Sequence, residues 1–268
     1  LSGANPPNVI LMMADDLGYN DLSCYGSKRQ KTPVLDKLAE EGLRLTSFYA
    51  GATVCTPSRM ALLTGAYPPR LGWNGGVVGY GLKPHNGLAP QARTMGEVFK
   101  GAGYKTALIG KWHLGDEEPY QPHTRGFDEA FIHGAGGIGQ AYNCSCADAP
   151  GNKYFNPVIR HNGSFVKTKG FCTDLFFTSA LGWIKSKKDG DDPFFAYITT
   201  NAPHGPFIAP PKNTKYFTDL GFGKTQAGFY GMIENIDENI GRLMGKLKEW
   251  DLYKDTIVIF MSDNGMTG

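Results

Sequence analysis

The strongest constraint on the fold of this chain is its alternation of short, continuously apolar or β-branched runs with longer segments of helical period. Asn8–Met13 reads as a strand, Pro33–Glu41 as a helix and Leu43–Tyr49 as a second strand. Helices are expected at Pro57–Leu63, Thr94–Lys100 and Thr173–Lys187, and strands at Thr106–Ile109 and Phe194–Thr199. The clearest pair comes last. Gln226–Trp250 carries Ile233, Ile236, Ile240, Leu243 and Leu247 at helical spacing, and Thr256–Met261 follows as an apolar run bounded by Asp255 and Asp263, the pattern of a buried parallel strand. This βαβ rhythm implies an α/β fold with a mostly parallel central sheet and helices on both faces. Residues 115–170, rich in Gly, Pro, Asn and His and poor in periodicity, read as a long insertion over one end of the sheet.

Composition narrows the partners. The chain has 268 residues, 41% of them hydrophobic, and 27 basic against 25 acidic side chains leave a net charge of only +2. That balance gives no electrostatic case for nucleic acid or an anionic membrane. The longest apolar runs, such as Val9–Ala14, fall far short of the roughly 20 residues that span a bilayer. The first residues show neither a basic n-region nor an apolar h-region, so a signal peptide is expected to have been removed or never present. Five cysteines (Cys24, Cys55, Cys144, Cys146, Cys172) leave at least one without an intrachain partner in an oxidising compartment. Asn143-Cys144-Ser145 and Asn162-Gly163-Ser164 fit the glycosylation sequon, a pattern too short to carry weight.

Two motifs fail on context. Gly134-Ala135-Gly136-Gly137-Ile138-Gly139 fits the dinucleotide pattern, but no helical period follows to supply a pyrophosphate-binding N-terminus. Gly223-Lys224-Thr225 resembles the end of a P-loop whose first glycine would fall on Thr218.

Open α/β sheets bind ligands beyond the carboxyl ends of their strands. There the sequence places Asp15 and Asp16, Lys111 and His113, Asn201 and His204, and Asp263 and Asn264. Each pair alone could be a solvated turn; four on one rim suggest a site. Asp15, Asp16, Asp263 and Asn264 offer only oxygen ligands, and converging carboxylates repel unless a cation lies between them. Such donors select Ca²⁺ or Mg²⁺ over zinc. An EF-hand is excluded, because the twelfth positions counted from Asp15 and Asp16 are Gly26 and Ser27 rather than Glu. Lys111, His113 and His204 add positive charge and proton-transfer capacity suited to an oxyanion ester. Cys55 stands just ahead of the expected helix N-terminus, where anionic species are favoured, although a buried structural cysteine is the plainer reading of that residue alone.

The neighbours of Cys55 change that preference. Cys55-Thr56-Pro57-Ser58-Arg59, continued by Leu62-Leu63-Thr64-Gly65, resembles the C-x-P-x-R signature of type I sulfatases, of the arylsulfatase and N-acetylgalactosamine-6-sulfatase kind. Ala14–Gly18, Gly110–Gly115, Ala202–Pro206 and Ser262–Gly265 resemble further blocks of that family, in family order. The resemblance implies an alkaline-phosphatase-like fold and hydrolysis of sulfuric esters, with carbohydrate sulfates as the expected substrates. It implies conversion of Cys55 to formylglycine by a formylglycine-generating enzyme, with the hydrated aldehyde as nucleophile and as a ligand, beside Asp15, Asp16, Asp263 and Asn264, of Ca²⁺ in preference to Mg²⁺. Arg59 would hold the converted residue, Lys111 and His204 would bind sulfate, His204 would protonate the leaving alcohol, and His113 would take the proton whose loss expels sulfate. A periplasmic, secreted or lysosomal location follows from the same resemblance. The family's further lysine and its C-terminal antiparallel subdomain lie downstream of the Asp-Asn pair, so residues 1–268 are expected to be an incomplete catalytic domain with impaired turnover. Two rivals remain open: a phosphate or phosphonate monoester hydrolase of the same superfamily, and a non-catalytic module that binds sulfated glycan.

Overall fold

The computed structural model describes residues 6–79, 86–115, 117–140 and 147–266. Seven strands form one sheet: β1 (Asn8–Ala14), β2 (Lys105–Lys111), β3 (Glu129–His133), β4 (Val158–His161), β5 (Ser164–Lys167), β6 (Phe194–Thr199) and β7 (Thr256–Ser262). Their order across the sheet is β5-β4-β3-β2-β6-β1-β7. The five strands from β3 to β7 in that order run parallel, and β4 and β5 add an antiparallel hairpin beyond β3. The helices are α1 (Pro33–Glu41), α2 (Cys55–Thr64), α3 (Met95–Gly101), α4 (Cys172–Lys187), α5 (Pro211–Asp219) and α6 (Lys224–Glu249).

Strand alternation sends successive side chains to opposite faces. Ile10, Met12 and Ala14 of β1 pack with Phe176 and Ile184 of α4 and Ile233, Ile236 and Ile240 of α6. Leu11 and Met13 pack instead with Met60 and Leu63 of α2, together with Leu108, Phe195 and Tyr197 from β2 and β6. Two cores on opposite faces of one sheet follow, as the βαβ rhythm requires. Each large apolar side chain buried there is worth roughly 1.5–3 kcal/mol.

Four expectations need correction. Leu43–Tyr49 is irregular rather than a strand, with Leu43 85% and Tyr49 86% exposed; a β-prone run with no neighbour to pair with does not become a strand. Among the described residues β7 pairs, in parallel, with β1 alone, and Ile257 and Ile259 are exposed rather than buried. Residues 115–170 are not only an overlying insertion: they contain β3, β4 and β5, strands of four or five residues that are too short to register as periodic. Finally, α2 begins at Cys55, which puts that residue in the first helical turn rather than ahead of it.

Two local devices set the frame. Gly110, with φ of 112°, lets β2 and β6 approach so closely that a Cβ would lie 1.7 Å from the Thr199 carbonyl oxygen. In α6, the Asp237 carboxylate reaches across to α1 and accepts hydrogen bonds from the amides of Val34 (3.2 Å) and Leu35 (2.8 Å), capping a helix whose own N-cap side chain, Thr32, makes no capping bond. Burial, with Asp36 and Glu238 adding to it, outweighs those two amides and pushes the Asp237 carboxyl up to about 6.

Gly110→Ala is expected to cost about 3 kcal/mol or more of stability, seen as loss of soluble folded protein or a large drop in urea midpoint. The folded chain holds the Asp237 proton more tightly than the unfolded chain does, so this group's contribution is most favourable below its ordinary pKa of 3.8 and declines as pH rises to about 6. Asp237→Asn is expected to remove that decline. Thermal midpoints of both proteins across the window check it, and parallel curves would refute it.

Candidate active site

The register between β1 and β7 aligns Ala14 with Ser262, so the residues that follow, Asp15 and Asp263, leave the sheet side by side. Backbone bonds hold the turn: the Asp263 amide donates to the Ala14 carbonyl (3.1 Å) and the Asp15 amide to the Ala202 carbonyl (3.0 Å). The Asp16 amide donates to Asp263 Oδ1 (3.2 Å), and Asn264 Nδ2 donates to Asp16 Oδ1 (2.7 Å). Asp15, Asp16, Asp263 and Asn264 are therefore gathered at one point, and all four are buried. Carboxylate oxygens of Asp15, Asp16 and Asp263 lie within 4.8 Å of one another.

Two buried cations sit among them. Lys111 Nζ, from the end of β2, is 2.6 Å from Asp15 Oδ2. Arg59, reaching from α2, places Nε and Nη2 each 2.9 Å from Asp263 Oδ2, with Nη2 also 3.6 Å from Asp15 Oδ1 and Nη1 on the Lys111 carbonyl (3.0 Å). Burial and the neighbouring Asp263 and Asp16 raise the Asp15 carboxyl well above the usual range, against the pull of Lys111. Burial also pushes Asp263 upward, but Arg59 and then Lys111 prevail and hold it below the ordinary value.

Cys55 and His204 complete it. Cys55 Sγ, a carboxylate oxygen of Asp15 and a ring nitrogen of His204 lie within 4.8 Å of one another, and Cys55 is in no disulfide. Burial, followed by Asp15, pushes its thiol up to about 12. His204 Nδ1 lies 2.7 Å from the Gly205 carbonyl, which assigns the proton to Nδ1 and leaves Nε2 3.8 Å from Asp16 Oδ2. His113 Nε2 lies 3.2 Å from the Val78 carbonyl, so Nδ1 carries the lone pair; Nδ1 is buried and makes no hydrogen bond. Burial, then Lys111 and Arg59, hold His113 well below the usual histidine range, and burial with Lys111 lowers His204. Asp16 and His113 both adopt left-handed backbone, φ 61° and 57°, a conformation that costs non-glycine residues energy and often marks functional positions.

The donor set suits a hard cation. Asp15 Oδ1 and Asn264 Oδ1 are buried oxygens that accept no hydrogen bond, beside two further carboxylates. A second trio, Asp15, Cys55 and His204, mixes oxygen, sulfur and nitrogen.

Several residues at the site went unassigned at the level of sequence. Thr56 Oγ1 donates to the His113 carbonyl (3.0 Å) and accepts from the Val78 amide (3.0 Å). Ser58 Oγ donates to the Asp263 carbonyl. Both lie inside the C-x-P-x-R block, which was the available signal. Tyr154 Oη bonds the carbonyls of His204 (3.0 Å) and Gly205 (2.9 Å) from a segment without periodicity, and nothing local announced it. The Gly134–Gly139 run, dismissed as a nucleotide loop, forms a wall of the site: a Cβ at Gly136 would meet His113 Cε1 at 3.1 Å, and one at Gly137 would meet His204 Nδ1 at 3.4 Å. Cys144 and Cys146 lie outside the described residues.

Known proteins share this arrangement of fold and motif. N-acetylgalactosamine-6-sulfatase of Sus scrofa is 35% identical over 270 residues, covering 97% of this chain and 50% of that protein. The chain thus spans about half the length of the curated relatives it matches. The crystal structure of Ps i-CgsB in complex with k-i-k-neocarrahexaose superimposes with a TM-score of 0.88 at 30% identity, over 98% of this chain and 59% of that one. Phosphonate monoester hydrolase of Agrobacterium radiobacter, at 20% identity and a TM-score of 0.63 over 97% of this chain and 62% of that one, shares the fold alone. Residues 7–267 match the Sulfatase family model, and with the C-x-P-x-R block opening α2 at the head of a mostly parallel, helix-flanked sheet, the chain belongs to the sulfatase family.

Proposed function

We propose that this chain carries the reaction centre of a sulfuric ester hydrolase for carbohydrate O-sulfates, with Cys55 matured to formylglycine and Ca²⁺ held by Asp15, Asp16, Asp263, Asn264 and the matured residue. The observation that carries this reading is the position of residue 55. It stands in the first turn of α2 against Asp15 and His204, beside the gathered carboxylates of Asp15, Asp16 and Asp263. Cys55-Thr56-Pro57-Ser58-Arg59 opens α2 with the C-x-P-x-R block, and that block supports conversion of Cys55 by a formylglycine-generating enzyme. A bound divalent cation would supply Lewis-acid polarisation of the ester and add positive charge facing an anionic substrate.

The geometry supports the remaining roles. Lys111 Nζ is a buried positive charge for a sulfate oxygen, strengthened by exclusion of water, and the buried Arg59 guanidinium would hold the matured residue 55 and help neutralise local charge. His204 has its Nδ1 proton committed to Gly205, so a second proton, taken up at Nε2 to give the imidazolium, is the one that would pass to the departing alcohol and return the ring to its neutral form. His113, kept neutral with its Nδ1 lone pair free, is the acceptor for the proton that the matured residue 55 gives up as sulfate leaves. Carbohydrate esters are favoured because one relative is named for a sulfated amino sugar and another is crystallised with neocarrahexaose. An extracytoplasmic compartment (periplasmic, secreted or lysosomal) fits the same reading.

A second reading rests on the Asp15-Cys55-His204 trio. If Cys55 stays a thiol, its sulfur and the His204 nitrogen are donors of the kind zinc prefers, and the module binds rather than cleaves. A phosphate or phosphonate ester hydrolase is the other rival, supported by the shared fold.

Intact mass of the native protein is expected to show residue 55 lighter than cysteine. Aryl sulfate turnover is expected to vanish in Cys55→Ala and to fall about 10²–10⁴-fold in His204→Ala. Unconverted cysteine with no turnover would favour the binding module, and faster cleavage of matched phosphate esters would favour the phosphatase. Calorimetric titration should give one Ca²⁺ site that Asp263→Asn weakens at least about ten-fold, with stabilisation of about 2.7 kcal/mol at a hundred-fold excess over Kd. Zinc binding in preference to Ca²⁺ would overturn the oxygen-site assignment.

A further inference from the structure

A cavity of about 220 Å³ opens beside the site, lined by Ile138, Lys153, Tyr154, Phe155, Pro206 and Ile208. It lies outside the carboxylate cluster but shares two walls with it. On one side, Tyr154 Oη ties the cavity wall to the backbone carbonyls of His204 and Gly205, and Pro206 follows directly. On the other, Ile138 continues from Gly136 and Gly137, the two glycines that pack against the rings of His113 and His204. The ground between His204 and the cavity is thus glycine backbone. Gln140 stands over it, its Oε1 2.9 Å from where a Gly136 Cβ would be and its side chain hydrogen-bonded to no other described residue.

The lining has a mixed chemistry. Phe155 and Ile208, 39% and 43% exposed, present apolar surface at the mouth. Phe155 is not a loose side chain: its ring packs on Phe171 at 5.1 Å, across a β-bridge between the same two residues. Lys153 is exposed and makes no ion pair with a described residue. Its backbone is fixed by Asn152, whose Oδ1 accepts from the amides of Lys153 (3.1 Å) and Val158 (2.9 Å) and whose Nδ2 donates to the Val158 carbonyl (2.7 Å). An aromatic face and an exposed cation at the cavity, with the Gln140 amide over the glycines beside His204, match the C–H face, the anionic substituent and the hydroxyls of a sugar ring.

We propose that this cavity is a subsite for the sugar next to the sulfated one, so that the substrate is an anionic oligosaccharide or polysaccharide rather than a monosaccharide or aryl sulfate. The assignment rests on the sulfate-ester reading of the neighbouring site. Gln140 contacts the sulfated sugar, Phe155 and Ile208 support the next ring, and Lys153 pairs with the sulfate or carboxylate that ring carries.

The test uses the full chain with residue 55 matured. kcat/KM is measured for nitrophenyl sulfate and for mono-, di- and tetrasaccharides of sulfated galactan and chondroitin sulfate. In at least one series it is expected to rise about ten-fold or more from monosaccharide to disaccharide, mainly through KM. Lys153→Ala and Phe155→Ala, both exposed and away from the carboxylates, are expected to erase that rise and leave nitrophenyl sulfate turnover unchanged. Equal kcat/KM along every series, retention of the rise in both variants, or a sulfotyrosyl peptide cleaved faster than any saccharide would overturn the subsite. Calorimetry with the same saccharides on Cys55→Ala protein separates the two claims. Length-dependent binding that Lys153→Ala abolishes, without turnover by the matured protein, strikes the sulfate-ester reading alone; turnover without length dependence strikes the subsite alone.

Discussion

Three carboxylates buried at the ends of β1 and β7 are the constraint around which the rest is arranged. Removing such groups from water costs several kcal/mol each unless opposite charge and hydrogen bonds replace the solvent, and Arg59 and Lys111 bring opposite charge to Asp15 and Asp263. Each cation needs its own support. Arg59 can reach Asp263 because α2 begins at Cys55, and Lys111 can reach Asp15 because Gly110 lets its strand come close to β6. The Lys111 carbonyl then binds both Arg59 Nη1 (3.0 Å) and Thr199 Oγ1 (2.5 Å), so α2, β2 and β6 meet at one atom. Buried ion pairs of this kind are weak grounds for stability. Here they are better understood as fixing where positive charge stands before a substrate arrives.

The same field governs the histidines. Lys111 is a principal charge lowering both His113 and His204, so the groups that hold an anion also keep the two imidazoles neutral. Their tautomers are set by backbone carbonyls, Val78 for one and Gly205 for the other. Carbonyl oxygens do not titrate, which makes these assignments independent of pH. Tyr154 secures the second of those carbonyls, and through it the hairpin side of the sheet is joined to proton transfer.

What could be seen in the sequence depended on whether the signal was local. β1 and β6 announce themselves through unbroken apolar runs because both of their faces meet a core, and α6 through a sustained helical stripe because one face does. The carboxylate and amide side chains of Asp15, Asp16, Asp263 and Asn264 were legible because a parallel sheet puts its functional groups after its strands, and Cys55 because its neighbours form a recognisable block. Leu43–Tyr49 misled because β-branched and aromatic content describes compatibility with a pleated surface and does not supply a partner. β3 escaped notice because Glu129–His133 offers only three apolar or small residues between polar ends, and its membership of the sheet comes from pairing with β2. Tyr154 and Gly136 act through residues more than twenty positions away, and no spacing rule reaches that far.

The placement of β7 has a consequence for fidelity of assembly. Asp263 is held in reach of Asp15 by a strand paired along one side only. Parallel strands advance about 3.3 Å per residue and keep the same faces only when they shift by two, so the smallest slip that preserves side-chain alternation would carry Asp263 about 6.6 Å from its partners. Among the described residues β7 is indexed by its ladder to β1 and by the polar contacts at its own end. The Asp16 amide on Asp263 Oδ1, the Leu17 amide on Ser262 Oγ and the Ser58 hydroxyl on the Asp263 carbonyl therefore act as a register key: the reaction centre checks the alignment of the strand that builds it.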